Sequence, residues 1–137
     1  MYQSETTVRV RYSETDQMGY VYYGNYAAYY EVGRVESLRQ LGLSYRELEA
    51  QGIMMPVLES RSKFTAPAKY DEQLRIVTTI GSKPTARIHF AYDIYNEAGK
   101  AIHSGETSLV FVNMKTGRPC RCPEAMLTLL NLSLIHI

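Results

Sequence analysis

The 137-residue chain has few cysteines, almost no net charge and no long apolar run. Its two cysteines, Cys120 and Cys122, stand too close together for a comfortable disulfide, and no second Cys or His pair is placed to complete a zinc site. We therefore expect reduced thiols in a cytoplasmic protein. The formal net charge of +1 gives no general attraction to nucleic acid or anionic membranes. No segment has the length of a membrane span, and no secretory signal is apparent.

The composition is that of one globular domain. Apolar residues make up 45% of the chain and charged residues 21%, which is typical of a chain that buries a core. We assign this domain to residues 1–131. Residues 132–137 (LSLIHI) back-translate to the end sequence of a transposon used in building sequencing libraries. We interpret them as a non-native tail and give His136 no role.

A helical pattern follows one predicted strand. Residues 5–12 are β-branched and partly alternating, which predicts a strand. From Asn25 to about Leu41 the apolar and small residues recur at three- or four-residue steps, which predicts a helix. That face consists of Tyr26, Tyr29, Tyr30, Gly33, Ser37 and Leu41. The small residues on this face, Gly33 and Ser37, would let a sheet approach the helix closely. Gly42 is predicted to end the helix, and Ser44 with Glu47 to cap a second, shorter one.

The second half of the chain predicts strands. The pattern indicates four of them, over residues 54–65, 72–80, 86–95 and 101–113, with a short helix starting at Pro123. A helix that is apolar along one side has to be covered by the sheet. The expected fold is α+β, with a long central helix wrapped by a five-stranded antiparallel sheet.

The segment from Tyr12 to Tyr26 (YSETDQMGYVYYGNY) places Asp16 in a polar loop just before the predicted helix. A carboxylate near free backbone N–H groups can attack a carbonyl, or activate water against it, while those groups hold the carbonyl oxygen. The N–H groups of Tyr23, Gly24 and Asn25 are predicted to be unpaired at the helix start. The alternative is a loop aspartate that hydrogen-bonds its own backbone.

This segment resembles the signature of the hotdog-fold acyl-CoA thioesterases of the 4-hydroxybenzoyl-CoA type. The shared pattern is an aromatic residue, Thr-Asp, a glycine and an aromatic-rich run ending in Asn-Tyr. The likeness continues at residues 30–34 (YEVGR) and 64–71 (FTAPAKYD), and its strand order holds to about Leu130. The resemblance implies a hotdog fold and hydrolysis of an acyl-CoA thioester to a free carboxylic acid and CoA.

By this resemblance, Asp16 corresponds to the catalytic aspartate, as nucleophile or as general base. Tyr23 corresponds to the residue whose backbone N–H polarises the thioester carbonyl, with Gly24 beside it. Glu31 is a rival carboxylate, because a related subgroup uses a helix glutamate; a surface pair with Arg34 is the simpler interpretation. The histidines at 89 and 103 are expected to be half-buried sheet residues.

Binding of CoA requires basic groups at a pocket mouth. The candidates lie in or beside predicted turns and are Lys83, Arg87, Arg118 and Arg121; ordinary solvated charges are the alternative. Gly19 is expected to allow close approach of a ligand, and Tyr22 to help exclude water. The sequence implies no cofactor and no metal. The resemblance implies a homodimer or homotetramer, and no nucleic-acid partner is expected. An acyl-carrier-protein thioesterase and a non-catalytic acyl-CoA-binding protein remain open.

Overall fold

A computed structural model describes residues 1–135 of the chain. The helices are α1 (Tyr26–Leu41), α2 (Tyr45–Ala50) and α3 (Glu124–Ile135). The strands are β1 (Tyr2–Arg9), β2 (Ile53–Met54), β3 (Val57–Phe64), β4 (Gln73–Ile80), β5 (Arg87–Tyr95), β6 (Ala101–Val110) and β7 (Val112–Asn113). His136, to which the sequence assigns no role, lies outside the described residues.

Five strands form one antiparallel sheet in the order β1-β4-β5-β6-β3. The outermost pair brings together distant parts of the chain, since Tyr2 lies opposite Ile80. The short strands β2 and β7 form a separate two-stranded sheet. The predicted five-stranded antiparallel sheet and long helix are confirmed.

Helix α1 lies with its predicted apolar face against the sheet. All six residues of that face are buried. Gly33 permits the close approach, because a Cβ at this position would lie 2.7 Å from Thr78 Oγ1 and 3.0 Å from Ile76 Cγ2. The predicted strand faces that receive the helix are buried as well: Leu74, Ile76, Thr78 and Ile80 on β4, and Ile88, Phe90, Tyr92 and Ile94 on β5.

The predicted ends of the helices are confirmed. Gly42 has φ +106°, in the left-handed region that terminates α1 at little cost for a glycine. Ser44 Oγ accepts a hydrogen bond from the Glu47 backbone N–H at 3.1 Å, which caps α2.

Three predicted strand ranges were wrong: one strand is shifted along the chain and two are divided. β1 runs from Tyr2 to Arg9, because a 3₁₀ turn at Tyr12–Glu14 follows it. The predicted strand 54–65 is divided into β2 and β3, with β2 pairing to β7. The predicted strand 101–113 is divided at Phe111 into β6 and β7, because β7 leaves the five-stranded sheet and pairs with β2.

Strand β3 forms an open edge of the sheet. Each of its eight residues is exposed, and it pairs only with β6 within the described part of the chain. No helix among residues 1–135 is long and apolar enough to cross a membrane.

Candidate active site

The Asp16 loop is a tight turn held by its own backbone. The Asp16 N–H donates to the Tyr20 carbonyl, and the Gly19 N–H donates to the Asp16 carbonyl. Asp16 Oδ1 accepts hydrogen bonds from the N–H groups of Met18 (2.9 Å) and Tyr20 (3.3 Å). Both side-chain bonds fall on the same oxygen, so Oδ2 stays without a partner among the described residues. The turn fixes the carboxylate and leaves one oxygen free to react.

Glu14 ties this loop to the start of α1. Its carboxylate accepts hydrogen bonds from the Tyr29 hydroxyl (2.9 Å) and the Arg11 N–H (2.8 Å). Its backbone carbonyl accepts from Asn25 Nδ2 and from the Tyr22 N–H. Burial, and then the hydrogen bond to Glu14, raises the pKa of the Tyr29 hydroxyl, which stays a donor. Sequence reasoning missed this role for Glu14.

Two N–H groups are free at the helix start. A 3₁₀ turn at Tyr23–Asn25 leads into α1, and within the described residues Tyr23 and Gly24 donate no backbone hydrogen bond. The third predicted group is not available, because the Asn25 N–H donates to the Tyr22 carbonyl at 2.9 Å. That part of the prediction was wrong, since a 3₁₀ turn closes its first bond one residue earlier than an α-helix does.

Asp16 and Tyr23 line the same cleft, which has a volume of about 340 Å³. The remaining wall comes from aromatic and small residues, namely Met18, Tyr20, Val21, Tyr26, Phe64, Thr65, Ala66 and Pro67. Gly19, Tyr22 and Gly24 lie in the adjoining turns without lining the cleft. Gly19 has φ +80°, so the turn itself requires a glycine.

The four predicted basic residues lie far from Asp16 in the same chain. All four are exposed. Arg87 pairs with Val110 at one end of β6, whereas Phe64, in the cleft wall, pairs with His103 at the other. Seven residues separate the two ends, or roughly 23 Å at ~3.3 Å per residue.

The other three basic residues lie at the same end of the sheet as Arg87. Lys83 lies in the loop before β5, and Arg118 and Arg121 lie in the segment that joins β7 to α3. Cys122 in that segment donates its N–H to the Thr85 carbonyl, which holds it beside the start of β5. A single chain therefore does not bring these residues to the mouth of the cleft.

The rival carboxylate Glu31 and His89 lie outside the cleft. Glu31 is exposed on α1 and forms no ion pair with Arg34. The predicted surface pair was wrong, because Arg34 is buried and donates its Nε–H to the Tyr45 hydroxyl at 3.1 Å. His89 is exposed rather than half-buried and contacts Ser108 on the outer face of the sheet.

His103 is buried beside the cleft, with 3% of its surface exposed. Its ring stacks on Tyr26 at 3.9 Å between centroids and meets the Phe64 ring edge-on at 4.8 Å. Burial lowers the pKa of its imidazole to about 4. Sequence reasoning expected a half-buried residue here. The inward alternation through Leu109 and Thr107, continued toward the start of the strand, reaches His103 and could have placed it in the core.

A larger cavity of about 640 Å³ lies between the start of β1 and α3. Its walls are mostly apolar: Met1, Tyr2, Gln3, Leu41, Leu129, Leu132 and Ser133. The described residues that line it include no carboxylate and no imidazole.

Comparison with known proteins gives consistent matches. Residues 10–130 match the family model described as the thioesterase-like superfamily. The acyl-CoA thioester hydrolase YbgC of Escherichia coli is 32% identical over 119 residues, which are 87% of this chain and 89% of that protein.

Solved structures extend the likeness to the fold. The DHNA-CoA thioesterase of Staphylococcus aureus matches with a TM-score of 0.89 at 32% identity, over 99% of this chain and 91% of that one. A 4-hydroxybenzoyl-CoA thioesterase matches with a TM-score of 0.84 over 94% of this chain and 99% of that one; at 20% identity, this shows the fold alone. The predicted hotdog fold is confirmed.

Proposed function

Because the chain belongs to the thioesterase-like superfamily and is an acyl-CoA thioester hydrolase, we propose that Asp16 carries out the hydrolysis in the cleft at the start of α1. The observation that carries this proposal is that one free carboxylate oxygen, on Asp16, shares a cleft with Tyr23, whose N–H group is free, and that the free N–H group of Gly24 follows in the adjoining turn. Asp16 is the carboxylate among the residues that line this cleft.

The reaction converts a thioester and water into a carboxylic acid and the CoA thiol. The thioester carbonyl oxygen accepts hydrogen bonds from the N–H groups of Tyr23 and Gly24, which stabilise the negative charge that develops on it. Asp16 either attacks the carbonyl carbon, forming a mixed anhydride that water then cleaves, or removes a proton from the attacking water. In both routes the sulfur leaves as thiolate and takes up a proton.

The basic residues enter the site from a second copy of the chain. Two β3 edges that pair antiparallel place the Phe64 end of one strand beside the Val57 end of the other. Val57 pairs with Leu109, next to the Arg87–Val110 pair, so the partner's Arg87 end comes to the Asp16 end of the first chain. Both the exposure of β3 and the separation of the basic residues from Asp16 support a homodimer as the minimum unit.

In that dimer, CoA phosphates bind at the partner's basic turns while the acyl group enters the cleft. These turns carry Lys83, Arg87, Arg118 and Arg121. The same rim suits an acyl carrier protein, which presents acidic helix residues, so a carrier-protein thioester is the alternative substrate. Gly19 shapes the catalytic turn, and Tyr22 shields it. Cytoplasmic location stays a prediction.

The test is release of free thiol from short, medium, long and aromatic acyl-CoA esters. We expect Asp16→Asn to lower kcat by at least ~100-fold, because it removes the base or nucleophile while keeping the turn. Asp93→Asn is the matched control, since Asp93 lies on the sheet away from the cleft. Wild-type rates in Asp16→Asn would refute the assignment. Binding of the esters without turnover by the wild type would favour a non-catalytic role.

A further inference from the structure

A ring cluster joins the two walls of the cleft. Tyr26, the first residue of α1, and Phe64, the last residue of β3, both line the cleft and lie 5.5 Å apart between ring centroids. The His103 ring contacts both of them, by stacking on one and meeting the other edge-on. His103 therefore adds a link between the helix start and the edge strand.

A chain of hydrogen bonds fixes the His103 ring. His103 Nε2 shares a short hydrogen bond with the Tyr30 hydroxyl, which also lies 2.7 Å from Ser62 Oγ on β3. Nδ1 is buried and has no partner within residues 1–135. An unpaired buried donor costs more than an unpaired lone pair, so we assign the proton to Nε2. Nε2–H then donates to Tyr30, and the Tyr30 hydroxyl donates to Ser62.

The Tyr30 ring that receives this bond is itself confined. It stacks on Tyr92 at 4.5 Å between centroids, with the planes 8° apart. The hydroxyl end of the ring lies over Gly105, which pairs with Tyr92 in the sheet; any Cβ at Gly105 would overlap the hydroxyl and ring of Tyr30. These contacts and the hydrogen bond to Ser62 position the Tyr30 hydroxyl, and its hydrogen bond to Nε2 in turn orients the imidazole.

We infer that neutral His103 is a positioning residue for the hydrolysis. Its Nε2–H bond to Tyr30 holds the Tyr26 ring, and with it the turn that carries the N–H groups of Tyr23 and Gly24, in register with the Phe64 wall. This role rests on the function proposed above. His103 touches no reacting atom; it acts through Tyr26 and Phe64.

A matched pair of substitutions separates the hydrogen bond from packing. The amide nitrogen of Gln reaches the position of the imidazole Nε2, whereas that of Asn reaches only the position of Nδ1. We expect His103→Asn to lower kcat by ~10- to ~100-fold with little change in KM, because a misplaced oxyanion turn weakens transition-state binding. We expect His103→Gln to stay within about threefold of the wild type. Circular dichroism and melting curves show whether each variant is folded.

Tyr30→Phe provides an independent arm, because it removes the same hydrogen bond and keeps the ring. We expect it to reproduce the kcat loss of His103→Asn. Folded Asn and Phe variants with wild-type kcat would overturn the positioning role, as would equal losses in the Asn and Gln variants. Thiol release by the wild type, measured in the same assay, reports on the proposed function separately; an inactive wild type would refute that function and this role together.

Discussion

His103 shows how one buried side chain makes stability depend on pH. Its surroundings are aromatic rings, and the unpaired Nδ1 leaves no place for a second proton to be stabilised. The folded state therefore holds the imidazole neutral, with its pKa lowered to about 4 from the usual 6.5. In the unfolded chain the same group takes up a proton at higher pH.

We expect the free energy of unfolding to fall as the pH drops from about 6.5 to about 4. In this range the unfolded state binds the proton and the folded state does not, so acid favours unfolding. The loss amounts to at most about 3 kcal/mol for this group. Urea unfolding across that range measures it.

His103→Gln is the reference for this measurement, because every other titrating group is common to both proteins. The difference between the two free energies of unfolding should shrink steadily toward acid pH. A difference that stays constant between pH 7 and pH 4 would show that His103 is not neutralised by folding.

At the scale of secondary structure, the packing of α1 against the sheet depends on a glycine, Gly33. Gly33 lies on the buried face of the helix, where Thr78 and Ile76 of β4 leave no room for a Cβ. An alanine is the better helix former by roughly 1 kcal/mol. At this position that gain is outweighed, because the added methyl group pushes the helix off the sheet.

We expect Gly33→Ala to destabilise the protein by about 1–3 kcal/mol, measured by chemical denaturation. Gly81→Ala is the control, since a Cβ there meets nothing within 4 Å and the backbone does not require a positive φ. That change should be close to neutral. Equal effects at the two glycines would mean that α1 does not rest on β4 as closely as described.

The regular elements with a buried face were the ones whose bounds the sequence predicted most closely. The spacing of Tyr26, Tyr30 and Ser37 predicts α1, and the alternation in β4 and β5 predicts both strands, because burial imposes these periods. β3 carries no such signal, since all of its residues are exposed in one chain. β2 and β3 are separate strands because β2 pairs with β7 and β3 pairs with β6. The local sequence does not encode these long-range pairings.

At the scale of the whole molecule, topology decides which residues can share a site. The Asp16 loop, with its turn chemistry, could be predicted from the sequence, but the distance from Asp16 to Arg87 could not. It follows from the order of strands and from the register of β5 on β6. The contacts of Glu14 and His103 depend on the same long-range packing, which no local pattern encodes.

Association of two chains through β3 can be tested by removing one edge donor. Thr65 donates to Ile102, so in an antiparallel ladder the N–H groups of Ser60 and Ser62 point to the open edge. We expect Ser60→Pro to dissociate the dimer and raise KM for acyl-CoA at least tenfold, because the partner's basic turns leave the site. Sedimentation velocity and thiol release measure the two effects.

Ser60→Thr is the matched variant, because it changes the same side chain and keeps the N–H group. It should remain dimeric with a KM close to the wild type. If the wild type sediments as a monomer and is fully active, the shared site is wrong, and the basic residues have no part in catalysis.

The pairing of β1 with β4 has a consequence in time. Tyr2 meets Ile80, so during synthesis β1 waits for 78 further residues before its partner strand exists. At ~5–20 residues per second this wait lasts roughly 4–16 s. Helix α1 is complete at Leu41, so its buried face waits a further 39 residues, or roughly 2–8 s, before β4 exists to cover it. The nascent chain therefore exposes its aromatic helix for seconds in every round of translation, and the sheet can close around it only after the β4 segment has left the ribosome.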